Sequence, residues 1–441
     1  MVRRLLMWAV VVAVVASMAL AVGLAAGLVP SGLLLGLIAE ARPPIVVGLI
    51  HSQTGPLAIS EKSLLDSEIL ALEEINARGG VAGRLLKWKI ADGRSDPSTF
   101  ADQARRLIER DGAVVLFGGW TAECRKAMLA VVEDREGLLV FPSNYEGFER
   151  ARHVVYSGGS ANQVIMPGVR WCVDALKARK FFIVGTEEIW SRCVAELARD
   201  AIKASRGEVV GESFVPLTGG DASAVVESIR AAKPDVVINV LVGDSNLSFY
   251  STFRRAGLTP DGLPVMAFNV AENELRRFPP GDFTGHFAAW SYFQSLDRPE
   301  NREFVRRFKA KYGEDRVISD SIEAAYNGVM IWAQAADEAG TGDPKAVQEH
   351  FDRQSLDAAE GIVTIDPESR VAWRPFFVGK ARVDGQFDIV WSIAKPIHPV
   401  TYVGTRTKAE WDALVEGIKA RWGGRWSSSE PIHPSPTPPI R

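Results

Sequence analysis

With 441 residues, 47% hydrophobic and 24% charged, the chain is long enough for two or three globular domains. A formal net charge of -3 argues against a nucleic-acid binder, because neutralising phosphates requires a basic face. Arg302, Arg306, Arg307, Lys309 and Lys311 read instead as the solvated side of one helix.

The N-terminus comes first. Arg3 and Arg4 precede an uncharged stretch from Leu5 to Ala39, longer than the core of a cleaved secretory signal. Leu5 to Val29 supplies the ~20 apolar residues of a membrane span before Pro30-Ser31-Gly32 interrupts it. Residues 1–43 are therefore read as a signal or a membrane anchor. With Arg3 and Arg4 inside, everything after Ala41 lies outside the cytoplasm, in a periplasmic or extracytoplasmic location with or without an inner-membrane anchor. The first cysteine is Cys124, so a lipid on an N-terminal cysteine is excluded.

Short β-type runs then alternate with helical stretches. Ile45 to Ile50 is apolar on both faces, as a strand buried between helices should be. Leu65, Ile69, Leu72 and Ile75 follow at helical spacing, ending at Arg78-Gly79-Gly80. The alternation continues with strands expected at 85–90, 113–117 and 138–141, and helices at 97–110 and 125–133. Further strands are expected at 181–184, 208–214, 236–242 and 265–268, with helices at 193–205, 222–232 and 246–256. Such alternation builds parallel sheets flanked by helices, with too many units for one compact sheet. Two similar α/β lobes result. The Pro/Ser-rich end from Ser427 cannot bury a core and is read as a disordered tail.

In sheets of this kind ligands bind beyond the carboxyl ends of the strands. The residues there are polar, small or aromatic: His51-Ser52-Gln53-Thr54-Gly55, Gly118-Gly119-Trp120-Thr121, Pro142-Ser143-Asn144-Tyr145, Gly185-Thr186-Glu187-Glu188, Gly243-Asp244-Ser245-Asn246 and Asn269-Val270-Ala271-Glu272. The three cysteines, Cys124, Cys172 and Cys193, form no Cys-x-x-Cys or Cys/His cluster, so neither a metal nor another cofactor is expected. The six histidines show no metal spacing and no Gly-x-Ser-x-Gly elbow occurs. Glu73-Glu74 sit on adjacent helical positions and make no acid/base pair. A binding protein rather than an enzyme is expected.

At these loops the chain resembles the type I periplasmic binding proteins, and within them the urea and short-chain-amide components of ABC transporters. The stretches that carry the resemblance include Gly48 to Ser52, Thr54-Gly55, Ala58-Ile59-Ser60 and Ala71 to Gly80. Phe117 to Thr121, Phe141-Pro142, Tyr145-Glu146-Gly147, Lys233 to Val237, Gly243 to Asn246, Gly285 to Trp290, Glu323 to Tyr326 and Asp384 to Phe387 complete it, in order over about residues 44–393. The resemblance implies two lobes joined by a three-strand hinge. Residues 44–161 plus 288–358 would form one lobe and 162–287 plus 359–397 the other, with 398–441 as a C-terminal extension. It implies a small polar solute between the lobes and an ABC permease as partner.

Residue by residue, the resemblance assigns Ser60, Trp120, Thr121, Pro142 and Tyr145 to the solute site. Asp244, Asn269 and Glu272 stand at strand ends, where they can bind a urea-like N–H or carbonyl. Asp244 reads equally as a helix cap and Glu272 as a first-turn acid. One loop departs: Glu188 stands where relatives carry an aromatic, while Trp190 keeps the second aromatic. An added carboxylate favours a solute with a cationic or hydrogen-bond-donor end. A membrane-anchored sensor and a branched-chain amino acid binder are the other readings.

Overall fold

The computed structural model describes residues 42–217, 220–279 and 281–428. The expected signal or anchor over Leu5 to Val29 and the tail from residue 429 onward lie outside the described residues. Among the described residues no helix is long and apolar enough to cross a membrane.

The chain begins with β1 (Ile45–His51), α1 (Ala58–Ala77), β2 (Leu86–Asp92), α2 (Pro97–Glu109), β3 (Leu116–Gly118), α3 (Ala122–Asp134), β4 (Leu139–Phe141) and β5 (Val154–Tyr156). The five strands are all parallel, in the order β2-β1-β3-β4-β5. β1 is buried along nearly its whole length, as its two-sided apolar sequence requires. α2 starts where the Asp96 side chain accepts the Thr99 N–H and Pro97 occupies the first turn.

The second sheet follows with α4 (Ala161–Ala175), β6 (Lys180–Thr186), α5 (Ile189–Ala204), β7 (Glu208–Val215), α6 (Ser223–Ala232), β8 (Val236–Val240), α7 (Ser245–Arg255), β9 (Val265–Ala267), α8 (Glu272–Leu275) and β10 (Phe287–Trp290). The chain then returns to the first lobe as α9 (Pro299–Tyr312), α10 (Asp320–Ala339) and α11 (Pro344–Gln348). α10 packs on that lobe's helix and sheet: Ser67 donates to the Ile322 carbonyl at 2.7 Å, and Trp332 meets Phe117 edge-on at 5.6 Å. A last crossing leads to β11 (Ser355–Ala358), β12 (Gly361–Ile365), β13 (Ala372–Ala381) and β14 (Phe387–Ile397).

The nine-stranded second sheet runs β11-β12-β13-β10-β9-β8-β6-β7, with β14 on β13. It is parallel from β7 to β10 and antiparallel beyond, where β13 and β14 form a long hairpin. The expected two-lobed α/β architecture with helix-flanked sheets is the observed one. Its antiparallel margin is not visible in the strand–helix alternation, because that alternation ends at Phe268. By hydrogen bonding, β10 and β11 belong to the second sheet, although residues 288–358 read as part of the first lobe.

The described part of the C-terminal extension packs against the lobes. α12 (Lys408–Arg421) opens with a capping box between Thr407 and Glu410. Its Trp411 is fully buried, stacks on Phe148 at 4.2 Å and donates its indole N–H to the Val403 carbonyl. Arg406 anchors the helix start to α5 through Glu196 and Asp200. Ser427 and Ser428, read from composition as tail, instead pair with the start of α5. Composition alone does not reveal the backbone partners that hold them.

Candidate functional site

The strand ends of both lobes converge on one interlobe cavity, lined by Trp120, Thr121, Ala122, Ser143, Asn144, Glu188, Trp190, Val242, Asn269, Trp290 and Ser321. The room left for water is about 30 Å³, so in this closed arrangement the site admits a few waters or a very small solute.

Each wall has a local cause. At the end of β3, Gly118 and Gly119 take φ of 133° and 79°, and a Cβ on Gly118 would lie 2.0 Å from the Ile50 carbonyl oxygen. Only glycine permits this bend, which carries Trp120 and Thr121 into the cleft. Thr121 also caps α3, its hydroxyl accepting the Cys124 N–H at 3.2 Å. After β6, Glu188 caps α5 by accepting the Trp190 and Ser191 N–H groups at 2.8 and 2.5 Å. Burial nevertheless pushes the Glu188 carboxyl up to about 8, so near neutral pH it holds a proton and can donate it to a solute oxygen. After β9, the Asn269 amide donates to the Leu241 carbonyl at 3.3 Å. Trp290 ends β10 and donates its indole N–H to the Val270 carbonyl at 2.8 Å.

Ser143 Oγ and Asn144 Oδ1 are buried and have no hydrogen-bond partner among the described residues. Buried polar atoms are rarely left so, and both residues line the cavity, where a solute can satisfy them. Among the described residues no lysine, arginine or histidine lines it, and the lining offers the hydroxyl, amide and carboxyl groups of Thr121, Ser143, Asn144, Glu188, Asn269 and Ser321 between three indole rings. Among the described residues no group of three His, Cys, Asp or Glu side chains is arranged to hold a metal.

Of the residues the sequence singles out, Trp120, Thr121, Glu188, Trp190 and Asn269 come together here. The other five lie elsewhere. Pro142 is not in the lining. Tyr145 turns inward, stacks on Tyr156 at 4.1 Å and lies beneath Arg125, whose guanidinium binds Glu146 at 2.8–3.0 Å. Asp244 is exposed and pairs with Arg277 at 2.5 Å. Glu272 is buried, accepting the Gln294 N–H at 2.8 Å. Ser60 donates across the lobes to Glu274 at 3.3 Å, outside the cavity. Ser143, Asn144, Ala122, Val242, Trp290 and Ser321 complete the wall. Ser143 and Asn144 stand in the polar loop after β4, where chain irregularity hides which of its four side chains face inward.

His51 is a structural residue, closed between Glu61 and Glu68 with its Nε2 2.9 Å from the latter. Cys124, Cys172 and Cys193 are buried free thiols.

Residues 45–408 match the family model of the periplasmic binding protein domain. The Leu/Ile/Val-binding protein homolog 7 of Brucella melitensis biotype 1 is 24% identical over 352 residues, covering 75% of this chain and 86% of the relative. A limonene hydroxylase of Geobacillus stearothermophilus is 39% identical, but over 140 residues: 30% of this chain and 26% of that protein, so the match spans about a quarter of its length. Among solved structures, an ABC transporter solute-binding protein of Rhodopseudomonas palustris HaA2 in complex with p-hydroxybenzoic acid has a TM-score of 0.74 at 21% identity, covering 80% of this chain and 98% of the other. A leucine-binding protein of Thermotoga maritima has a TM-score of 0.71 at 18% identity, covering 79% and 98%. With its matched span, two lobes and interlobe cavity, the chain belongs to the periplasmic binding protein family.

Proposed function

We propose that the protein is an extracytoplasmic solute-binding component of an ABC importer, capturing a small neutral polar solute of the urea or short-chain-amide class, and that it is not an enzyme. The carrying observation is the pair of atoms left unpartnered among the described residues, Ser143 Oγ and Asn144 Oδ1, in a cavity whose described lining holds no basic side chain. A planar amide offers N–H donors to Asn144 and a carbonyl to Ser143 and protonated Glu188. Its faces pack on the indoles of Trp120, Trp190 and Trp290. The small room in the closed cleft supports a solute of this size.

A second reading, a branched-chain amino acid or aromatic acid, takes its support from the names of the relatives and from the three tryptophans. Either would need the lobes further apart.

A thermal-shift panel separates the two. Urea, acetamide, leucine and 4-hydroxybenzoate are compared, and a solute at 100 times its Kd adds ~2.7 kcal/mol to stability. A shift with urea or acetamide alone is the expected result; a shift confined to leucine or 4-hydroxybenzoate overturns the amide assignment. Asn144→Ala is expected to weaken binding of the shifting solute by about 1–3 kcal/mol, roughly 5- to 150-fold, by calorimetric titration. An unchanged Kd would remove Asn144 from the site.

A further inference from the structure

The segment after α12 lies beyond the part of the chain that matches the family, yet it touches both lobes at the edge of the cavity. Its backbone is fixed to the second lobe. Ile189 N–H donates to the Trp426 carbonyl at 3.0 Å and Ser428 N–H to the Glu187 carbonyl at 2.8 Å, so that Ser427 pairs with Glu188 as a short antiparallel bridge. Arg406, bound to Glu196 and Asp200 of α5, anchors the same extension to that lobe.

From there it reaches the first lobe. The Ser427 hydroxyl donates to the Glu123 carboxylate, on the first turn of α3, at 2.9 Å. The Trp426 ring lies 4.5 Å from the Lys126 ammonium on the same helix. Both contacts require the lobes to stand at their present separation. The Trp411–Phe148 stack, by contrast, sits beside the crossing between β5 and α4, where a hinge rotation displaces atoms least.

We propose that residues 426–428 form a latch across the mouth of the cleft, carried by the second lobe, that holds the first lobe closed through Glu123 and Lys126. The latch backs directly onto Glu188, whose carboxyl lines the cavity, so opening the cleft requires the Ser427–Glu123 bond to break. A closed state retained without solute follows, because the latch biases the open–closed equilibrium by contacts that do not involve the solute.

The test reads lobe separation with no solute present, so it stands apart from the identity of the solute. Asp102→Cys on α2 and Glu227→Cys on α6, both exposed, take a donor and an acceptor dye, while the native cysteines are buried. Single-molecule energy transfer then compares the full chain, a chain ending at Arg425, and the full chain with Ser427→Ala. Loss of the latch is expected to raise the open-to-closed ratio roughly tenfold, the lower end of what a hydrogen bond to a charged group contributes, with Ser427→Ala moving it in the same direction. Identical distance distributions in all three chains overturn the proposal, as does a truncated chain that loses melting temperature without changing its distribution. If the truncated chain does not fold, the Ser427→Ala chain decides alone: a shift to the open state supports the latch, and none refutes it.

Discussion

Arg374→Met is expected to lower the free energy of unfolding by ~3–5 kcal/mol, read from the guanidinium chloride midpoint rather than from urea, which is itself a candidate solute. Among the described residues, Arg374 on β13 is the cation paired with a buried ring of acids. Its Nε donates to Glu360 at 2.7 Å, Nη1 to Asp320 at 2.8 Å and Nη2 to Glu323 at 3.2 Å, and all four side chains are sealed from solvent. Burial holds the Glu360 carboxyl well above its ordinary range and lifts Glu323 to about 7, although Arg374 pulls both down. Removing the guanidinium strands the carboxyls without a positive partner, and the desolvation they suffer is no longer offset. The effect reaches the cleft, because Asp320 also accepts the Ser291 N–H at 3.0 Å, beside Trp290 and Ser321 of the cavity wall. Adding Glu360→Gln to Arg374→Met should restore part of the loss, since one fewer buried acid then lacks a partner. A single variant within ~1 kcal/mol of the parent would mean that the ring contributes no more than an exposed ion pair.

Stability is expected to be greatest near pH 5 and to fall steadily toward pH 9. Burial pushes Glu188 and Glu272 up to about 8 and Glu274 to about 7, far above the ~4.3 of a glutamate in an unfolded chain. Between those values the native state holds protons that the unfolded state has released. The stabilisation is therefore complete below the unfolded value and is lost as pH rises through the folded one. His51 acts in the same direction: burial alone would lower it, but Glu68 and Glu61 raise it to about 9, so its contribution fades from ~6.5 upward. Glu149 sets the acid limit. Burial would raise it, yet Arg125 and Lys126 bring it down to about 2, so its contribution is lost as pH falls below ~4.3. A fully shifted group changes stability by up to ~1.4 kcal/mol per pH unit. Guanidinium midpoints at pH 5, 7 and 9 provide the check, and Glu188→Gln should flatten the decline between pH 5 and 8. A midpoint that climbs from pH 5 to pH 9 would contradict these environments.

The parallel part of the fold is legible because each strand there is a short apolar run closed by a polar or glycine-rich loop. That same punctuation marks Trp120, Thr121 and Glu188 as cleft positions, since a bend at a strand's carboxyl end and a helix cap are both local events. Asp244 shows where the local signal stops. Its strand-end position is right for a cleft residue, but the pull of Arg277 turns it outward. Pro142 and Tyr145 fail for a related reason: the loop after β4 has no regular period, and the buried Arg125 draws Tyr145 beneath it, leaving Ser143 and Asn144 to face the cavity.

By itself, then, the sequence determined the alternation that makes two α/β lobes and the loops from which a cleft is built, because hydrophobic period and turn chemistry act over a few residues. Only the tertiary structure decided which side chain of each loop looks inward. It alone gathered Arg374 with Asp320, Glu323 and Glu360 and laid Ser427 against Glu123, since these partners lie 14 to 54 and 304 residues apart. Charges and hydroxyls at such separations carry no mark of one another until packing excludes the water that would otherwise satisfy them.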